Sequence, residues 1–63
     1  MDVQIFPDQF FVSDLVGIKH GPHKGLYGRV HRVRGEEVLV GGFKGVKIWI
    51  HQGQLELARR GVH

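Results

Sequence analysis

The stretch Asp14-Leu15-Val16-Gly17-Ile18-Lys19-His20-Gly21-Pro22-His23-Lys24-Gly25-Leu26-Tyr27-Gly28-Arg29-Val30-His31-Arg32-Val33 decides the fold. Residues 15–20 alternate, with Val16 and Ile18 on one face, as a half-buried strand does. Gly21-Pro22-His23-Lys24-Gly25 is loop chemistry: the proline fixes one φ and the glycines accept positive φ. Tyr27 to Arg34 reads as a second strand, but Val30 and Val33 lie three apart and break strict alternation. That offset predicts a bulge, which tightens curvature in a small barrel.

The same reading extends outward. Gly35-Glu36 is a hairpin turn into a strand over Glu37-Val38-Leu39-Val40, and residues 41–45, rich in glycine, turn the chain again. Val46-Lys47-Ile48-Trp49-Ile50-His51 is the clearest strand, with Val46, Ile48 and Ile50 inward and Lys47, Trp49 and His51 outward. Gln52-Gly53-Gln54 reads as a short helical turn or loop, Leu55-Glu56-Leu57 as a last strand, and residues 59–63 as a fraying tail. No piece has room for an amphipathic helix of about 10 residues. Five short antiparallel strands predict an all-β domain, a small closed or half-closed barrel over residues 13–58, preceded by an apolar arm over residues 1–12.

Sixty-three residues hold one domain, and a chain this short buries only about 60% of the surface its unfolded form exposes. With no cysteine it has no disulfide framework, which suits a reducing compartment such as the cytoplasm. No apolar run approaches the roughly 18 residues of a membrane span, so no membrane association is expected. The net charge of +3 hides a separation. Residues 1–17 carry Asp2, Asp8 and Asp14 and no Lys or Arg, whereas all nine basic residues lie between Lys19 and Arg60 against Glu36, Glu37 and Glu56. The first 17 residues (−3) thus precede a segment, residues 18–63, carrying +6, nine cations less three acids. An unmixed cationic stretch from Lys19 to Arg34 points to an anionic partner.

Catalysis is poorly equipped. The chain has no Thr, and its one serine, Ser13, has only Asp14 beside it, where a turn role is the natural reading. Glu36 and Glu37 are adjacent at a hairpin tip, which does not make a carboxylate pair for acid–base work. His20 and His23 invite a metal, but structural zinc usually needs four ligands with some thiolate, and none exists here. Neither metal nor cofactor is expected, and the chain is read as not an enzyme.

Asp14, Val16, Ile18, Gly21, Lys24, Gly25, Gly28, Val30 and Val33 fall in step with the KOW motif, approximately G-D-x-V-x-V, a loop glycine, K-G, then G-x-V and a further apolar residue. The stretch therefore resembles a KOW domain, with Ser13 standing where the motif has its first glycine. The resemblance implies an SH3-like five-stranded barrel of the kind found in ribosomal proteins and the NusG elongation-factor family. It further implies a non-catalytic module that binds RNA, a ribonucleoprotein or RNA polymerase in translation or transcription.

The residue chemistry leads to the same class of partner. Lys19, His20, His23 and Lys24 surround the glycine loop, whose backbone N–H groups can sit against phosphate. Arg29, Arg32 and Arg34 lie on the second strand, and arginine both clamps phosphate and stacks on bases. Trp49 between Lys47 and His51 is the aromatic-with-basic arrangement that holds unstacked bases, although a small barrel also needs large aromatics in its core. Tyr27 is expected to pack beside the loop. With no Asn and few Gln, recognition of shape and phosphate is expected over base-edge reading.

Three of the four phenylalanines lie in the first 12 residues. The arm either folds over the open end of the barrel, enlarging its core, or presents Ile5, Phe6, Phe10 and Phe11 for docking or weak homo-oligomerisation of an otherwise monomeric chain. Two other functions compete with RNA binding. One is a basic SH3-like docking subunit for an acidic protein, similar to photosynthetic and ferredoxin-docking subunits, in which the cations steer association. The other, remote, is a type II dihydrofolate reductase, whose V-Q-I-Y pore strand is similar to Val46-Lys47-Ile48-Trp49, with Lys47 in place of the functional glutamine.

Overall fold

The structure, a computed structural model, describes residues 10–61. Five strands, β1 (Leu15–Ile18), β2 (Tyr27–Arg34), β3 (Glu37–Phe43), β4 (Val46–His51) and β5 (Leu55–Arg59), form one sheet in the order β4-β3-β2-β1-β5. All neighbours are antiparallel, and a single 3₁₀ turn, Gln52–Gln54, joins β4 to β5. The expected five-stranded SH3-like arrangement is borne out. The sheet is not closed, since β4 and β5 remain its two edges. It nevertheless surrounds one core, because Ile50 of β4 and Leu55 of β5 join the same cluster.

That core follows the period-2 pattern. Val16 and Ile18 of β1, Val30 of β2, and Val38 and Val40 of β3 are buried, and Phe43, Ile48 and Leu57 pack against them. The four fully buried valines are β-branched residues suited to a pleated surface. Each contributes about 1.5–2 kcal/mol by leaving water. Two valines depart from the pattern. Val46, expected inward, is 54% exposed because it starts β4 beside the turn, beyond the rim of the core. Val33 pairs with buried Val38 yet is 42% exposed, and lines a groove of about 380 Å³ with Phe10, Phe11 and Val12.

The bulge in β2 is present. Val30 pairs with Val40 but Arg32 with Leu39, so His31 is the extra residue. The consequence is large for the other face. Strict alternation would turn Arg32 and Arg34 inward, whereas the extra residue returns both to the outer face already occupied by Arg29.

The glycine run after Val40 is strand rather than turn. β3 continues through Gly41 and Gly42 to Phe43, with a register shift against β4 at Gly42 (φ 108°). Two bare backbones lie close here: a Cβ on Gly28 would strike the Gly41 carbonyl and lie 2.7 Å from Val40 Cγ1. The turn itself shrinks to Lys44 (φ 56°) and Gly45 (φ 85°), both left-handed as a tight type I′ hairpin requires.

Both ends of the described chain are anchored at Asp14, whose side chain is 0% exposed. Its carboxylate accepts the N–H of Phe11 at 2.9 Å and of Gly61 at 2.7 Å, and pairs with Arg60 Nη1 at 2.7 Å. The tail expected to fray from residue 59 is therefore corrected over its described part. Arg59 belongs to β5, and Arg60 and Gly61 are held by a buried charge. Ser13 takes φ 83°, the conformation that suits the glycine of the motif at this position.

Candidate functional site

Because the sheet is amphipathic, one face is the core and the other carries the charge. Register places the outward residues of β2, β3 and β4 in rows. Arg34, Glu37 and His51 form one row, Arg32, Leu39 and Trp49 the next, and Arg29, Gly41 and Lys47 the third. Adjacent strands lie about 4.8 Å apart, so each row is roughly 10 Å wide. The bulged His31 projects on this side as well, its ring covering Gly41, where a Cβ would lie 2.6 Å from Nε2.

Trp49 stands outward in this array and is 41% exposed. The guanidinium of Arg34 lies over its ring, 4.9 Å from the centroid, a cation–π contact that reaches across β3 from the adjoining row. The indole stands outside the core cluster, in which Phe10, 5% exposed, is the buried aromatic. Tyr27 is exposed too, with its ring over Gly17, its register partner on β1.

The cations of the face differ in their ties. Arg29 donates to the Ser13 carbonyl at 3.0 Å and so braces the turn before β1. His51 accepts the Gly53 N–H at Nδ1 (2.9 Å), which leaves the proton of its neutral ring on Nε2, facing Glu36 Oε1 at 3.3 Å. Glu36 and Glu37 therefore offset charge only at the hairpin corner of the face. The Arg32 and Lys47 side chains make no hydrogen bond or ion pair among the described residues, and their donors face solvent.

The remaining candidates, Lys19, His20, His23 and Lys24, sit exposed on the loop between β1 and β2. This loop is at the opposite end of β2 from Arg34, roughly 20 Å away at about 3.3 Å per residue. Its second half is internally bonded, with Lys24 N–H donating to Gly21 O, Gly25 N–H to Ile18 O and Leu26 N–H to His23 O, whereas the N–H groups of His20, Gly21 and His23 donate to no backbone carbonyl among the described residues.

Of the apolar candidates, Phe10 is buried in the chain's own core and offers no docking surface. Phe11 is exposed and lies under Arg60, 5.0 Å from its guanidinium carbon. Ile5 and Phe6 lie outside the described residues.

The sequence reading of Asp14 as a motif residue missed its role, because Arg60 and Gly61 lie 46 and 47 residues away. Burial pushes its carboxyl up, but the N–H groups of Gly61 and Phe11 and the charge of Arg60 outweigh that and hold it below the ordinary 3.8. Asp14 is thus an internal anchor and no part of an acidic surface. Among the described residues no helix is long and apolar enough to cross a membrane, and no three His, Asp or Glu cluster as metal ligands. Comparison with protein-family models, with curated proteins and with solved structures finds no match to this chain.

Proposed function

We propose that this chain is a non-catalytic SH3-like module of the KOW type that binds RNA or a ribonucleoprotein assembly through the outer face of β2, β3 and β4. The observation that carries this reading is the bulge-aligned set Arg29, Arg32, Arg34 and Lys47 around an exposed indole. Four fixed cations on one sheet face favour a polyanion. Trp49 among them favours nucleic acid over an acidic protein, which the cations alone would steer equally well. The loop cations Lys19 and Lys24 add long-range attraction from the far end of β2.

Arg32→Ala and Lys47→Ala test the assignment, since neither side chain supports the fold. Each is expected to weaken binding of a mixed-sequence RNA about 3- to 10-fold near 50 mM salt, and to reduce the slope of log K against log salt by about 0.7. Lys24→Ala should have a smaller effect. Unchanged affinity in both outer-face variants would remove this face as the site. Retention of an acidic protein with no affinity for RNA would favour the docking-subunit reading.

A further inference from the structure

We propose that the outer face selects single-stranded RNA and takes one unstacked base against Trp49, with Arg34 as the movable partner of that stack. The inference rests on the proposed nucleic-acid reading and goes beyond it by naming the form of the ligand. The indole is held at the middle of β4, next to half-buried Leu39 in register, so its position is set by the sheet and not by a loop. Its exposed area is available to a flat apolar surface, and the Arg34 guanidinium already occupies such a position at 4.9 Å. A planar cation over an indole marks the place where a base can stack, either on the open side or in exchange for the guanidinium. A displaced Arg34 remains beside Arg32, where it can pair with phosphate.

Two features narrow the ligand further. Bases in a duplex are paired and stacked on each other and cannot give a face to Trp49, whereas bases in a single strand can. Around Trp49 the outward side chains are those of Arg32, Arg34, Leu39, Lys47 and His51, with no amide or hydroxyl among them; the face's hydroxyl, that of Tyr27, lies at the far end of β2 over Gly17. The face therefore lacks the bidentate Asn and Gln groups that read base edges, and selection is by strand form more than by sequence.

Trp49 is the only tryptophan, so its fluorescence reports this site directly. The full chain is titrated near 50 mM salt with an eight-nucleotide oligouridylate, an eight-nucleotide oligoadenylate and a blunt RNA duplex of matching length. Both single strands should quench the emission to saturation, and the duplex should bind at least about 10-fold more weakly. Trp49→Leu keeps an apolar partner for Leu39 but removes the π-face. It should lose about 10-fold in single-strand affinity by anisotropy while its circular dichroism and urea midpoint stay close to the parent's; Trp49→Phe should recover part of the loss. Equal binding of duplex and single strand, or binding that leaves Trp49 emission unchanged, overturns the stacking site and leaves the phosphate reading standing. No binding of any of the three overturns both.

Discussion

The Asp14→Ala variant is expected to lose about 3 kcal/mol of unfolding free energy, because a wholly buried carboxylate is replaced by a group that accepts nothing. The N–H groups of Phe11 and Gly61 lose their acceptor together, and Arg60 loses its contact with the Asp14 carboxylate. Arg60 is partly exposed, so water recovers some of its share, and the two backbone donors carry most of the cost. Domains of this size rarely hold more than about 3–5 kcal/mol in total, so the variant should be largely unfolded near room temperature. Urea denaturation followed by far-UV circular dichroism measures it. A loss below about 0.5 kcal/mol would show that the chain ends are anchored by something else.

The same anchor sets a pH dependence. The folded carboxyl of Asp14 lies below the ordinary 3.8, so its contribution is complete above that value and is lost as pH falls through the lower folded value. The urea midpoint should hold on acidification until pH drops below 3.8, then decline, and Asp14→Asn should flatten that part of the decline. A midpoint that starts to fall near neutrality would place the controlling group elsewhere.

Gly28→Ala is the second large effect expected, again about 3 kcal/mol. A Cβ at Gly28 meets the carbonyl of Gly41 on the neighbouring strand, with Val40 Cγ1 at 2.7 Å and the Phe43 ring at 3.0 Å. Backbone held in a ladder cannot give way as a flexible side chain can, so β2 and β3 must separate. Gly17→Ala is the contrast, because its nearest obstacle is the Tyr27 ring at 2.8 Å, which can rotate into solvent. The urea midpoint should therefore fall much further for Gly28→Ala than for Gly17→Ala. Similar small losses for both would contradict the close approach of the two strands.

Much of this architecture is legible in local pattern, and the exceptions have identifiable causes. The three-residue offset between Val30 and Val33 announces the bulge, and the bulge then dictates that Arg32 and Arg34 join Arg29 outside. Trp49 cannot be assigned from alternation alone, since small barrels take large aromatics inward. The β3–β4 register settles it, setting Trp49 beside Leu39 on the outer face while Ile48 and Ile50 face the core. Residues 41–43 read as turn because glycine is a turn residue, yet here it permits β3 to pass close to Gly28. The Asp14 anchor is invisible locally because its partners come from the far end of the chain. In the glycine loop the sequence does not show that the N–H groups of Lys24, Gly25 and Leu26 are used internally, on the Gly21, Ile18 and His23 carbonyls.

The charge separation likewise changes meaning once positions are known. Asp14, one of three acids in the first 17 residues, is neutralised internally by Arg60, and the surface cations concentrate on one sheet face and one loop. The central claim is that this face binds RNA through its phosphates. The most direct test is the affinity of the intact chain for a mixed-sequence single-stranded RNA as salt rises from about 50 to about 200 mM. Engagement of about four phosphates predicts a slope near −2.8 in log K against log salt, a loss of roughly 50-fold over that range. Absence of binding at about 50 mM, or an affinity indifferent to salt, would contradict the claim.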